Sequence, residues 1–93
     1  AQPEGRRPVN EDEMMDRVNA LPDRFAGRLD PTDLDDVREA AYAGEWGEAV
    51  DNLIAGLAET RAEVTTAERD ELRSLLDAMG LPTGITEGLN IQG

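Results

Sequence analysis

Apolar residues recur at helical spacing in several blocks of this chain, and the clearest block runs from Ala43 to Leu57. Ala49, Val50, Leu53, Ile54 and Leu57 fall on one side of a 3.6-residue helix, while Glu48, Asp51, Asn52 and Glu59 take the other side. The pattern predicts a core helix with one wet face, starting at Glu45 or Trp46 and running to about Thr60. Gly56 inside it costs about 1 kcal/mol relative to Ala if exposed. Its presence points either to a close helix crossing or to a tolerated defect.

The flanking blocks read as elements that cover this helix. Residues 1–9 carry two prolines, a glycine and three charges with almost no apolar content, the composition of a flexible leader. Asn10 is placed as an N-cap, with Glu11, Asp12 and Glu13 in the first turn of a helix through Met14, Met15, Val18 and Leu21. Pro22 interrupts that helix, yet the apolar phase continues through Phe25 and Leu29. Either one helix bends there or a second short one starts. Asp30-Pro31-Thr32-Asp33 is a strong start signal, and the helix after it turns Leu34, Val37, Ala40 and Ala41 inward, with Asp33, Asp35, Asp36 and Glu39 on its other face. Gly44 ends it, so the next helix follows across a sharp corner.

Downstream, Thr65-Thr66-Ala67-Glu68 reads as a capping box, in which the Thr65 hydroxyl and the Glu68 carboxylate satisfy each other's backbone N–H groups. The helix it opens carries Leu72, Leu75, Leu76 and Met79 inward, and Gly80 and Pro82 close it, with Leu81 folding back on the last turn. The bundle domain therefore spans 10–82. The tail over 83–93, with Ile85, Leu89 and Ile91 scattered among glycines, is left open between disorder, packing on the bundle and a contact surface. No strand-period segment is long enough to suggest a sheet. The architecture expected is an all-α small bundle of four short helices, five if Pro22 begins its own.

Composition narrows the function classes. A chain of 93 residues has little room for both a core and a deep catalytic pocket. Twenty-one acidic residues against nine cations give a net charge of −12. Such a surface repels phosphate and anionic lipid and attracts basic proteins, so neither nucleic acid nor membrane is an expected partner. There is no Cys and no His, which removes disulfides, zinc sites of the usual kind and the common general base. With no signal segment and no membrane-spanning run, a cytoplasmic location is expected.

Carboxylate pairs are the remaining candidates for chemistry. Asp33 with Asp36, and Glu45 with Glu48, stand three apart on helices, close enough to share a proton or a cation. A solvated acidic face is the preferred reading. The calcium-loop pattern is missing, and a di-iron bundle needs His. Ser74, the single serine, sits mid-helix after Arg73, unlike the serine of an acyl carrier protein. Trp46 and Gly47 are adjacent, unlike the Trp-X-Gly turn of the small secreted helical hairpins. No catalytic, cofactor-binding or metal-binding residue is assigned, and the chain is not expected to be an enzyme. Tyr42 and Trp46 are read as caps on the core at the corner, with Trp46 as a partner anchor the competing assignment.

The order of these elements resembles the MafI-type immunity proteins of bacterial polymorphic toxin systems. The shared pattern is a short acidic helix, the Gly44-Glu45 break, the Ala49, Leu53 and Leu57 helix, a Thr65 or Thr66 start with Glu68, and then Leu72, Leu75 and Leu76. It covers about half the chain, from Leu34 to Met79. The resemblance implies an antidote that binds a cognate secreted toxin domain and covers its active site. Asp33, Asp35, Asp36, Glu39, Glu45, Trp46 and Glu48 are then the expected contacts, on a toxin surface of opposite charge. The alternative is an acidic helical adaptor or an oligomerisation module, which leaves self-association through Ile85 to Ile91 open.

Overall fold

The computed structural model describes residues 11–92, and two of its helices, at Asp30 and at Thr65, begin on side-chain caps. The chain runs through α1 (Glu11–Asn19), the single turn α2 (Leu21–Arg24), α3 (Pro31–Tyr42), α4 (Trp46–Thr60) and α5 (Thr66–Ala78). The expected leader over 1–9 and the cap at Asn10 lie outside the described residues. At Pro22 the second option holds: α1 ends at Asn19, and Pro22 sits in the first turn of α2, where its missing N–H costs nothing. Asp30 caps α3 by accepting the Thr32 N–H at 3.0 Å. The capping box at the start of α5 is complete, with Thr65 Oγ1 accepting from the Glu68 N–H at 3.0 Å and Glu68 Oε1 from the Thr65 N–H at 2.9 Å.

The two glycine stops work alike. Gly44 (φ +80°) and Gly80 (φ +73°) adopt the left-handed conformation that a side chain resists. The next residue's N–H then reaches back into the helix, from Glu45 to the Ala40 carbonyl and from Leu81 to the Leu76 carbonyl, both at 2.9 Å. Chain reversal at Gly44 lays α3 and α4 side by side as the most extensive helix pair of the fold.

The inner stripe of α4 occupies the centre. Ala49, Val50, Leu53 and Leu57 have no exposed surface, and Val18, Leu21, Val37, Leu72, Leu75 and Leu76 close around them from the other helices. Met15, expected in the α1 stripe, instead faces solvent at 41% exposure. Met14 and Val18, one turn apart, already define the inward direction, and Met15 falls about 100° away from it.

Gly56 marks a close approach. A Cβ built there falls 2.5 Å from Cδ2 of the buried Leu29 and 3.6 Å from Cβ of Asp33. Leu29 fills the place of the missing side chain, which accounts for a glycine inside a long helix.

A small sheet was not expected. Residues Glu63–Val64 (β1) and Asn90–Ile91 (β2) pair in parallel, Glu63 opposite Asn90 and Val64 opposite Ile91, and the Gln92 N–H donates to the Val64 carbonyl at 2.7 Å. Two residues per strand carry no alternation for a sequence pattern to display. The tail thus packs on the bundle, through a 3-10 helix at Gly84–Gly88 and the buried Thr86 and Leu89.

Two bidentate ion pairs tie distant segments together. Arg17 meets Glu71 with both contacts at 2.9 Å, and Arg28 meets Glu68 at 2.7 and 2.8 Å. Arg28 also lies over the Phe25 ring, 4.9 Å from its centroid, and donates to the Glu63 carbonyl. Its own carbonyl accepts the Thr60 hydroxyl at the end of α4. One arginine therefore joins the α2–α3 loop, the end of α4, β1 and the first turn of α5. The Arg28 hydrogen bonds, aided by the Thr65 N–H, hold the Glu68 carboxyl down at about 2.

Two predictions follow from this packing. Gly56→Ala should lower stability by about 1 kcal/mol in urea unfolding, because the clash with Leu29 outweighs the gain in helix propensity. In a Leu29→Ala background the same change should stabilise; a stabilising Gly56→Ala in the intact protein would mean that the crossing imposes no constraint. The second concerns pH. Folding lowers the pKa of Glu68, so its stabilisation is full above the ordinary carboxylate range and is lost as pH falls toward 2. Glu68→Gln, which preserves a capping side chain, should cost about 1 to 2 kcal/mol at pH 7, and that difference should shrink steadily below pH ~4.

Candidate partner-binding surface

Charge is distributed unevenly over the helices. Between residues 31 and 60 the chain carries Asp33, Asp35, Asp36, Glu39, Glu45, Glu48, Asp51 and Glu59 against a single cation, Arg38. Arg38 turns away to Asp23 at 3.3 Å, and among the described residues none of those eight carboxylates is in an ion pair. The other paired arginines, Arg17, Arg28 and Arg69, all bind acids outside this segment.

The α3–α4 pairing gathers these acids along a cleft. Its first part is a hollow of about 390 Å³ with Asp33, Asp36, Asn52, Ala55, Gly56 and Glu59 in its walls. The second part, about 420 Å³, lies between Asp36, Glu39, Tyr42, Glu45, Glu48 and Asn52. Asp36 and Asn52 border both, so the two form one acidic trough reaching the Gly44 corner. The spacing explains the assembly. Asp33, Asp36 and Glu39 recur every three residues along α3, and Glu48, Asn52 and Glu59 descend the facing side of α4. Among the described residues no group of three or more carboxylates converges closely enough to hold a metal ion. The trough is therefore suited to several dispersed cationic groups.

Five of the seven expected contact residues, Asp33, Asp36, Glu39, Glu45 and Glu48, line this trough. Asp35 is exposed on α3 but borders neither hollow, and Trp46 borders neither. Trp46 is half-buried against the core, as the core-cap reading requires, and its indole N–H is buried without a hydrogen-bond partner. Tyr42 departs from that reading. It is 93% exposed at the acidic end of the trough, because Ala41 and Ala40 take the inward positions of the last α3 turn. Asn52 and Glu59 also line the trough and were not anticipated as contacts. Their signal was present in the wet face of α4, but only the pairing with α3 selects which part of that face joins the cleft.

Comparison with known proteins gives no parallel: no family model, no curated protein and no solved structure matches this chain. The membrane question has a narrower answer, since no helix among the described residues is long and apolar enough to cross a bilayer.

The two aromatics should separate cleanly on mutation. Tyr42→Ala should leave stability within about 0.5 kcal/mol of the parent, as for an exposed side chain. Trp46→Ala should cost on the order of 2 kcal/mol from lost packing, whereas Trp46→Phe, which deletes the unpartnered N–H, should cost far less. Thermal and urea unfolding followed by far-UV circular dichroism measure all three; equal losses at Tyr42 and Trp46 would contradict the assignment.

Proposed function

We propose that this domain is an immunity protein, an inhibitor that binds a cognate secreted bacterial toxin domain and covers its active site with the α3–α4 acidic face. The observation that carries the proposal is the trough itself, a row of carboxylates that, among the described residues, is in no ion pair, while Arg17, Arg28, Arg38 and Arg69 pair with acids elsewhere. Enzymes that act on phosphate-bearing substrates have cationic clefts, and a carboxylate row can occupy such a cleft in place of the substrate. Tyr42 adds a large amphipathic side chain at the edge of the same surface, of the kind enriched among energetic anchors of protein interfaces. The order of helices and the Gly44-Glu45 corner that resemble MafI-type immunity proteins support the same reading. A location in the cytoplasm, where newly made toxin must be neutralised, belongs to this proposal.

Calorimetry of the full chain against the toxin domain encoded beside its gene tests it. Binding should be nanomolar at low salt and weaken as salt rises, and co-expression should rescue growth from the toxin. Replacing Asp36 and Glu48 together by Arg should weaken binding by at least about a hundredfold through lost attraction and new repulsion. Tyr42→Ala should weaken it by about tenfold or more, at unchanged stability. Salt-independent binding, or rescue that survives the charge reversal, would remove the acidic face from the mechanism.

A further inference from the structure

Packing of the tail inverts the polarity of its sequence. Thr86 is buried, its hydroxyl donating to the Thr83 carbonyl at 2.7 Å, while the adjacent Ile85 stands 44% exposed. The turn that carries Ile85 is held just after it, by buried Thr86 and Leu89 and by the pairing of β2 with β1. Ile85 is thus presented to solvent from an anchored position.

It forms one wall of a hollow of about 570 Å³ that adjoins the acidic trough along α4. Ile54, Ala55 and Ala58 supply the α4 wall, and Gly84 and Gly88 leave the tail side open. Asn52, Ala55 and Ala58 border both this hollow and the trough, so a low ridge of small side chains on α4 is all that separates the two. A chain lying across that ridge meets carboxylates on one side and an apolar recess on the other.

We infer that the Ile85 hollow receives a large apolar side chain from a basic protein partner whose flanking Arg or Lys residues enter the α3–α4 trough. The inference rests on the acidic-face reading above and adds a second contact to it. Charge complementarity selects this occupant. A second copy of the chain would bring its own net charge of −12 against Asp51 at the rim of the hollow and against Asp33 and Glu59 across the ridge. A cationic segment with an apolar residue satisfies both surfaces at once, and Ala55 and Ala58 let its backbone come close.

The test uses the full chain and two synthetic helical peptides, one with Leu-bearing and Arg-bearing positions on neighbouring faces and its twin with Ala for every Leu. Calorimetry should give the Leu peptide about tenfold tighter binding than its twin, the gain expected for burying one aliphatic side chain. Amide chemical shifts should move at Ala55, Ala58, Gly84 and Ile85. Ile85→Ser should abolish the difference between the peptides at unchanged thermal stability, and Ala58→Gln, made from the α4 wall, should do the same without touching the tail. Equal affinity for both peptides, with shifts confined to Asp33, Asp36 and Glu39, would overturn the hollow while leaving the acidic face standing. Failure of both peptides to bind at low salt would count against both. A dimer of the free chain that Ile85→Ser dissociates would assign the hollow to a second copy and overturn the inference.

Discussion

The seating of Leu29 on Gly56 is the constraint from which the acidic trough follows. A side chain at position 56 would push the end of the buried Leu29 side chain out of its seat, at the end of the α3–α4 pair where Asp33 and Glu59 line one hollow. At the opposite end the Gly44 turn fixes how soon the chain reverses. Pinned at both ends, α3 and α4 hold their acidic residues along one shared seam. Side-chain packing against a glycine is thereby converted into a pattern of charge.

That pattern is costly for the isolated fold, since like charges on facing helices repel and among the described residues none of them is in an ion pair. The cost is offset elsewhere. Bidentate pairs at Arg17–Glu71 and Arg28–Glu68 cross-link α1, the α2–α3 loop and α5, and the inner stripe of α4 is wholly buried. A surface charged only for solubility has no need of such segregation; mixed signs spread over all helices serve that end as well. Eight carboxylates on one helix pair against the single Arg38, which pairs with Asp23 on α2, form the arrangement that a basic partner would exploit.

Much of this was legible in the chain. The apolar period of α4, the Asp30 and Thr65 caps and the glycine stops are local signals, each set by residues close together in the chain, and each appears in the fold where the sequence places it. Long-range choices were not legible. Which way Tyr42 faces in the last turn of α3 follows from Ala40 and Ala41 packing against the core, and the inward preference of an aromatic gave the opposite expectation. The β1–β2 pair joins residues 27 positions apart through two-residue strands, too short to register as a period. Of the acidic trough, the α3 half was visible as a face, whereas Asn52 and Glu59 join it only through the crossing at Gly56.

Exposed residues on α4 and around it divide by whether folding explains them. Ala55 and Ala58 are strong helix formers and need no further reason to be there. Tyr42 and Ile85 are different, because neither contributes to the core and each stands beside a hollow bordered by α4. Scattered apolar side chains on a protein surface are ordinary. Two large ones, each next to a recess bordered by α4, form a more specific arrangement. Their positions bracket the trough, so a partner drawn in by charge would find an aromatic contact at the corner and an aliphatic one by the tail. On this view the carboxylates govern the rate and salt sensitivity of encounter, while the two apolar sites govern how long the complex lasts.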